Sequence, residues 1–594
     1  MRGLAGLVLI LASLPAAGSE ADRGQELLDN WQLEDSLAVA QKLLADKPDE
    51  PETWVLAAQV QHQRGEHLSA LALLDAVERA GGKTPEGLKS LIEASAAYQS
   101  SFETRETPHF HIRYLNKDEI VAAYAEEVME RAYRNIAGDL DFLPAERGEK
   151  IVVEIYPDAR GLAGATGLTL KEIETSGTIA VCKFHRLMIT SPLATASGYD
   201  WADTLAHEFT HLVISKKSRN TVPIWLHEGI AKYYESRWKG HLGEDLSPYS
   251  EHLLAEATRK KKFITFEQMH PSMAKLPSQE DAALAFAEVF TVIEYLTGKY
   301  GTASVPKVLA LAASGMDIEA ALAKVYGLRL KALETAWHKY LAGRKFRDIP
   351  GATPHKIKLA TSENEAQAEK PLEEMADKEA HDWSRLGELL QLRAQHQAAI
   401  VEYEKAYGRA GVRYGTLINK LARAYTAVGR QDDALKVLEN LLTAQPEDSD
   451  ARLMAGRIAF IKNDAATAKR HFEAVRLTNP FNPEIHAALA KLYDAESRPD
   501  AAQQEKRFFE LSSKPRPTHT YERPPQPAGD ALVSIVAPGW TAVRLDSGTP
   551  VVTPLWQQPL TSGSHSVEFY RRDRSVSVRQ FAIKPGEAQT LILE

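Results

Sequence analysis

The chain has 594 residues, of which 44% are hydrophobic and 25% are charged, with a formal net charge of -9 at pH 7. This length exceeds what one hydrophobic core normally serves, so it predicts several soluble folding units. The mildly acidic balance argues against nucleic acid as a partner.

The first 18 residues have the pattern of a secretory signal peptide. An apolar run from Leu4 to Leu14 follows an early arginine, and the small residues Ala16 and Gly18 precede the expected cleavage before Ser19. We therefore expect an exported protein, periplasmic or extracellular. No segment approaches the about 20 apolar residues that span a bilayer, so no integral membrane span is expected after cleavage. An uncleaved membrane anchor is the alternative.

Residues 19–100 show a short helical repeat. Ser36 and Ala70 are 34 residues apart, as are Ala38 and Ala72, with "ADKPDEPETW" as the turn between helical hairpins. This period resembles the tetratricopeptide repeat (TPR), which implies an all-α solenoid that binds partner proteins. A plain helical bundle is the alternative.

Residues 101–346 are predicted to form an α+β domain. The segments "HFHIRYL" and "KIVVEIYPD" alternate like strands, and Lys117 to Asp141 between them has helical periodicity. The β-branched residues of "TIAVCKFHRLMIT" predict a strand over Thr178 to Thr190. Cys182, the only cysteine, lies in it as an expected buried thiol, with His185 on the opposite face.

A metal-binding pattern lies in "LAHEFTHLVISKKSRNTVPIWLHEGIAKYYE". His207 and His211 are four residues apart, so one helix places both imidazoles on the same face, one turn apart. Glu208 is rotated by about 100° from His207, which puts its carboxylate where a general base for a metal-bound water is needed.

A zinc site for hydrolysis takes three protein ligands and keeps a fourth position for water. Position 217 is Lys217, which excludes the metzincin arrangement with a third histidine there. A following helix, with helix-start residues Asn220 and Pro223, presents Glu228 as the third ligand.

The segments "HEFTH" and "WLHEGIAKYY" together resemble the gluzincin metallopeptidases, and most closely the peptidase MA-like domains of bacterial repeat proteins. "TPHFHIRY" near Thr107 and the later helix from Ala285 to Gly301 also have counterparts there. The resemblance implies a zincin-like domain. One zinc ion would be bound by His207, His211 and Glu228, with Glu208 as the catalytic base.

Residues near the ligands have secondary roles or none. Asp203, four residues before His207, and Glu235, seven after Glu228, lie on faces from which they can hydrogen-bond the ligands. Solvated helix residues are the alternative for both. His227 neighbours Glu228 and points away from it, so a packing or surface histidine is expected.

One position departs from the family pattern. Related domains commonly have a tyrosine near the start of the late helix, where it stabilises the oxyanion, and this chain has Phe286. The residues considered as replacements are Tyr233, Tyr234, Tyr295 and His185.

The rest of the chain contains a linker over 347–382, a second repeat array over 383–513 and a proline-rich linker over 514–528. Ala422, Gly456 and Ala490 are spaced by 34 residues, as are Pro446 and Pro480, which again resembles the TPR. Short alternating segments over 529–594 predict strands and resemble a PEGA domain, which implies a β-sandwich without catalytic residues.

The predicted fold class is therefore multidomain: an α+β zincin-like metallopeptidase domain between all-α TPR solenoid segments, with a small C-terminal β-sandwich. The expected function is an exported zinc metallopeptidase that hydrolyses peptide bonds in a protein or peptide substrate. An endopeptidase is favoured because the glycine-x-methionine-glutamate-asparagine signature of zinc aminopeptidases is absent from the sequence. The alternative is a catalytically weak or inactive scaffold of the bacterial cell envelope.

Overall fold

The computed structural model describes residues 19–47, 50–145, 149–195, 197–243, 246–273, 276–347, 349–354, 359, 372, 375–514, 529–536, 542–548, 551–553, 555–570 and 576–593. The predicted signal peptide lies outside these ranges, as do nearly all of the predicted linker 514–528 and part of the predicted linker 347–382. The chain divides into two compact units, one of residues 1–92 and 525–594 and one of residues 93–524. Within the described ranges, no helix has both the length and the apolar character needed to cross a membrane.

The amino-terminal part of the first unit consists of helices joined by short turns. They are α1 (Glu20–Asp29), α2 (Leu33–Asp46), α3 (Pro51–Gln63) and α4 (His67–Arg79), and α5 (Leu88–Gln99) leads into the second unit. Ser19 and Asp22 form a capping box that starts α1, and Pro51 begins α3 where its missing N–H costs no helical hydrogen bond. Trp54 and Leu73 belong to the apolar core that α3 and α4 share.

The second unit begins with a mixed domain of helices and strands. Its strands are β1 (Glu103–Glu106), β2 (Phe110–Tyr114), β3 (Ile151–Tyr156), β4 (Ala180–Lys183) and β5 (Arg186–Thr190). Its helices are α6 (Glu119–Ala132), α7 (Ala159–Thr166), α8 (Leu170–Ser176), α9 (Trp201–Ser218), α10 (Ile224–Tyr234), α11 (Pro248–Lys260), α12 (Phe266–Met269), α13 (Gln279–Tyr300), α14 (Ser304–Ala313), α15 (Ile318–Tyr326) and α16 (Leu330–Gly343).

The five strands form one sheet in the order β1-β2-β3-β5-β4. β2, β3 and β5 are parallel, and every residue of β3 and β5 is buried, as expected for central strands that are covered on both faces. β1 and β4 are antiparallel edge strands. β4 packs beside α9, the helix that carries the histidine pair.

The segment Thr178 to Thr190 is a hairpin of two strands, so the prediction of one strand was wrong. Phe184 and His185 both have a φ of 55°, which reverses the chain between β4 and β5 in a two-residue turn. His185 therefore lies in the turn and not on the opposite face of a strand from Cys182. No glycine or asparagine marks the turn in the sequence, because the left-handed conformations fall on an aromatic residue and a histidine.

A helical array completes the second unit. Its helices are α17 (Lys378–Leu392), α18 (His396–Ala410), α19 (Gly415–Ala427), α20 (Gln431–Ala444), α21 (Ser449–Ile461), α22 (Ala465–Thr478), α23 (Pro483–Ala495) and α24 (Pro499–Ser513). α17 begins inside the predicted linker 347–382, with Ala380 already buried. Tyr124 of α6 stacks on Phe508 of α24 with ring centroids 3.8 Å apart, so the array packs directly on the mixed domain.

The carboxyl-terminal strands belong to the first unit. They are β6 (Ala531–Val536), β7 (Ala542–Leu545), β8 (Val551–Val552), β9 (Leu555–Leu560), β10 (Gly563–Tyr570), β11 (Val576–Ile583) and β12 (Ala588–Ile592). They form two sheets, β11-β10-β7-β8 and β12-β6-β9. Val533 of one sheet and Val543 and Val567 of the other lie in a single apolar cluster, as in a sandwich.

These strands pack against the amino-terminal helices. α4 contacts β8 and β9, and the side-chain amide of Gln61 donates a hydrogen bond to the Thr553 carbonyl at 3.0 Å. This packing joins segments from the two ends of the chain and was not predicted from the sequence.

Candidate metal centre

Two helices bring the candidate ligands together. His207 and His211 lie one turn apart on α9, and their ring centroids are 4.6 Å apart. After α9 ends, Arg219 and Asn220 adopt positive φ values of 53° and 56°, which turn the chain back on itself. α10 then runs beside α9 and carries Glu228 to a position facing both histidines.

The ligand atoms converge on one small volume. Glu228 Oε2 lies 3.5 Å from His207 Nε2 and 3.4 Å from His211 Nε2. One ligand atom from each of these half-buried side chains lies within 4.8 Å of the others. Burial alone would raise the pKa of Glu228, but the two histidines hold it well below its usual range. The three side chains thus form a pocket that favours a cation.

The glycine after Glu228 sets how closely α10 approaches α13. A Cβ atom at Gly229 would lie 2.9 Å from the carbonyl oxygen of Val289 and 3.0 Å from the side chain of Ile293. A residue with a side chain at position 229 would push α10 away from α13 and would move Glu228. The close packing of these two helices therefore requires a glycine after Glu228.

His207 is held from its other side by Glu235. Its Nδ1 lies 3.2 Å from Glu235 Oε2, while the second oxygen of Glu235 accepts a hydrogen bond from Lys232. Burial alone would lower the pKa of His207, but the carboxylates of Glu228 and Glu235 raise it to about 10. Glu235 therefore contacts a candidate ligand, and its role in orienting a metal-bound His207 stays a prediction.

His211 is held by His227, a contact that the sequence analysis missed. Their Nδ1 atoms are 2.6 Å apart and their rings stack with centroids 4.6 Å apart. The Nε2 of His227 lies 3.1 Å from Ser215 Oγ. Burial and the neighbouring His211 lower the pKa of His227 to about 3, so the ring is neutral and can accept from His211 Nδ1. Ser215 could have indicated this contact from the sequence, because it lies four residues after His211 and therefore on the same helix face, where it can also reach His227.

Asp203 contacts the turn that follows α10. One of its carboxylate oxygens accepts from the Trp238 indole N–H at 2.7 Å and the other from Lys239 Nζ at 2.8 Å. These bonds tie the start of α9 to the turn after α10. The role of Asp203 beside the ligands stays a prediction.

Glu208 is buried between α9 and the edge strand. Its side chain is 8% exposed and accepts a hydrogen bond from the backbone N–H of Cys182 in β4. Burial raises the pKa of Glu208, with the nearby charges of His211 and His207 opposing the rise. Burial also raises the pKa of the Cys182 thiol well above its usual value, so the thiol stays protonated.

The possible oxyanion donors are spread over several elements. The Tyr233 hydroxyl accepts a hydrogen bond from Thr297 at 3.0 Å, and the Tyr295 hydroxyl accepts one from Lys299 at 3.0 Å. The Tyr234 hydroxyl is buried without a partner among the described residues. His185 lies in the β4–β5 turn, and Phe286 is half-buried in α13. The structure selects none of these side chains as the donor.

The donor set fits a divalent transition metal. Two imidazole nitrogens and one carboxylate oxygen are the ligands and the number found in catalytic zinc sites. Both histidines also have a partner at Nδ1, which fixes the ring orientation and leaves Nε2 facing Glu228.

The chain contains a Peptidase MA superfamily domain flanked by tetratricopeptide repeats. The Peptidase MA superfamily model matches residues 143–343, and two tetratricopeptide repeat models match residues 21–85 and 416–458. The peptidase match includes both helices of the candidate centre. Together the matches support a peptidase-like protein that interacts with other proteins.

The similarity of this chain to individual proteins is weak. No curated protein matches the chain. Among solved structures, MamA is 17% identical over 22% of this chain and 72% of its own length, with a TM-score of 0.21. Yeast Tom70 is 11% identical over 82% of this chain and 89% of its own, with a TM-score of 0.16. Both TM-scores are too low to relate the folds.

Proposed function

We propose that this chain is an exported zinc-dependent metallopeptidase that hydrolyses internal peptide bonds of protein substrates. One zinc ion is bound by His207, His211 and Glu228. The observation that carries the proposal is the convergence of these three side chains beside a buried Glu208 that faces an edge strand. The repeats supply protein-protein interaction, and the carboxyl-terminal sandwich is a PEGA-like appendage.

The chemistry divides between the metal and the chain. When bound, zinc supplies Lewis-acid polarisation of oxygen at the site. In this proposal, Glu208 takes a proton from the attacking water and delivers it to the leaving amine. Its raised pKa suits both transfers, because a carboxyl group that titrates closer to neutral pH can both accept and return a proton.

The edge strand β4 is the proposed binding surface for the substrate backbone. β4 ends the described sheet, with β5 as its one neighbour in the strand order. The Cys182 N–H reaches Glu208, so a peptide that adds to this edge lies against the proposed base.

The test measures zinc content and turnover of an unfolded protein substrate by the parent chain and by Glu208→Gln. We expect one zinc per chain in both proteins and a loss of turnover of at least about 100-fold in Glu208→Gln. Equal turnover in both proteins, or loss of zinc from Glu208→Gln, contradicts the proposed role of Glu208.

The second candidate is a metal-binding scaffold of the cell envelope without significant turnover. It is favoured by Phe286 at the position of the family's tyrosine and by the engagement of Tyr233 with Thr297. Loss of an oxyanion donor costs about 10²–10³ in turnover while metal binding persists. Zinc binding without turnover in the parent chain is the result that selects this candidate.

A further inference from the structure

A cavity of about 1090 Å³ lies between the peptidase domain and the carboxyl-terminal repeat array. One wall comes from the start of α9, the end of α10 and the start of α11, and the opposite wall from α20, α21 and α22. Pockets of about 300–1,000 Å³ bury drug-sized ligands, so this cavity has room for a short peptide segment. All of its walls belong to the second unit of the fold.

The cavity is separate from the candidate metal centre. Its wall includes Glu235, which contacts Nδ1 of His207, whereas Glu228 faces Nε2 on the other side of the same ring. The His207 ring thus stands between the cavity and the proposed metal position. A ligand in the cavity does not occupy the catalytic site.

Most cationic side chains on the cavity wall already have an anionic partner. The pairs are Lys232 with Glu235, Lys239 with Asp203, Arg347 with Glu251, and Arg476 with Glu505. Such pairs have little charge to offer a ligand.

Arg452 is the exception among the described cations of this wall. Its Nε donates a hydrogen bond to the Pro446 carbonyl at 2.6 Å, and its terminal N–H groups have no acceptor among the described residues. Burial lowers the pKa of Arg452, and the opposing carboxylates of Asp200 and Glu447 do not compensate for burial and the nearby Arg470. A guanidinium presents its N–H groups as a planar fork that matches the two oxygens of a carboxylate.

The rest of the wall suits a peptide. Leu442, Leu477 and Phe290 offer apolar contacts, and Glu447 can accept a backbone N–H. Cationic and anionic side chains both line the cavity, so a ligand with one carboxylate and several amide donors fits better than a multiply charged anion.

We propose that this cavity binds the carboxyl-terminal end of a peptide, with its α-carboxylate held by Arg452. The choice of a peptide rests on the proposed function, because each hydrolysed peptide bond leaves a new carboxyl end. The inference that the ligand carries a carboxylate rests on Arg452 and does not depend on the proposed function. The cavity therefore retains a cleaved product or recognises the end of an intact chain.

The experiment uses the full chain carrying Glu208→Gln in the presence of a chelator, so that the peptides stay intact and metal binding plays no part. The probe is a pool of N-acetylated hexapeptides randomised at every position, prepared with free carboxyl ends and, separately, as carboxyl amides. Retention of each pool on the immobilised protein is measured by mass spectrometry. We expect the free acids to be retained at least about tenfold more strongly than the amides, as for a hydrogen-bonded charge pair.

Three further variants make the result specific. Arg452→Gln should remove the preference for free acids. The control is Arg457→Gln, which should keep the preference because Arg457 is an exposed arginine of the same helix and pairs with Glu484. Ala474→Phe adds a large ring to the cavity wall, keeps Arg452 in the sequence and should lower retention of the free acids, with circular dichroism as the check that the fold is unchanged. Equal retention of acids and amides by the Glu208→Gln chain without a further substitution overturns the proposal.

Two arms separate the sources of the carboxylate. Displacement of the hexapeptide acids by an equal concentration of acetate overturns the assignment to a peptide and leaves a site for small carboxylates. Retention of a protein fragment with a free carboxyl end, but not of its amidated form, distinguishes intact chain ends from short products. Because Glu208→Gln is present throughout, an inactive parent chain leaves these outcomes unchanged.

Discussion

The ring of His211 is oriented by a neutral histidine from the next helix. Nδ1 of the neutral His227 can accept a hydrogen bond from Nδ1 of His211, 2.6 Å away, and this arrangement leaves Nε2 of His211 facing Glu228. A phenylalanine in place of His227 keeps the stacked ring but removes the hydrogen bond. We therefore expect His227→Phe to weaken zinc binding about 10- to 100-fold, the usual effect of losing such a partner. Competition with a fluorescent zinc chelator measures this change.

The control for that variant is His338→Phe. His338 is also half-buried and stacks on Phe263 at 4.1 Å, and it lies outside the candidate centre. Zinc affinity should be unchanged in this control. An unchanged affinity in His227→Phe as well would reduce His227 to a packing residue, as the sequence analysis expected.

Zinc binding should also depend on pH through His207. The carboxylates of Glu228 and Glu235 raise the pKa of His207 to about 10 in the metal-free chain, so the ring is protonated at neutral pH. A metal must displace that proton, and zinc affinity should therefore rise about tenfold per unit between about pH 6 and about pH 8. Calorimetry in buffers of different ionisation enthalpy counts the protons released.

Glu235→Gln is the informative variant for this dependence. It removes one of the carboxylates that raise the pKa of His207, so fewer protons should be released per zinc bound. Glu256→Gln serves as the control, because Glu256 is a half-buried residue of α11 that pairs with Lys260 outside the candidate centre. The interpretation of His207 is wrong if zinc affinity does not change over this pH range.

At the scale of elements, the helices of the site were predicted from the sequence, but the turn that divides the neighbouring strand segment into β4 and β5 was not. Histidines four apart followed by a proline-started helix predict α9 and α10, because helical spacing is a local property. The β4–β5 turn depends on positive φ at Phe184 and His185, which tertiary packing imposes against their intrinsic preference. The contact of His227 with His211 likewise depends on how α10 rolls against α9, which spacing alone does not give.

The central strands carry a buried ion pair that can be tested. Arg186 of β5 and Glu154 of β3 are both fully buried and form an ion pair, and the Tyr156 hydroxyl donates to the same carboxylate at 2.9 Å. Arg186→Met leaves the buried Glu154 charge with the more distant Arg113, 3.6 Å away, as its cationic partner and should lower the free energy of unfolding by about 3 kcal/mol. Urea denaturation measures the loss.

The double variant separates the ion pair from packing. Adding Glu154→Gln to Arg186→Met removes the carboxylate charge that Arg113 alone compensates incompletely, so part of the lost stability should return. A double variant less stable than Arg186→Met would show that the methionine fails to pack and that the charge is not the cause.

At the scale of the whole molecule, the sequence predicted the kinds of domains but not which of them pack against each other. The 34-residue spacing identifies repeats because each helical hairpin has the same local pattern. The packing of Gln61 against Thr553 joins residues from the two ends of the chain, and no local pattern encodes such a contact. The docking of α24 on α6 was missed for the same reason.

That docking gives a prediction about how the array is held. Phe508 is 2% exposed and stacks on Tyr124 of α6, whereas its neighbour Phe509 is 42% exposed. Phe508→Ala removes the stacked ring and leaves a cavity, at a cost of about 3–5 kcal/mol, most of it at the α6–α24 contact. Hydrogen exchange should therefore become faster in both α6 and α24 and stay unchanged in β3. Phe509→Ala, one residue along the same helix, should change neither helix. Faster exchange in α24 alone would mean that the ring stabilises its own helix and does not fasten the array to the peptidase domain.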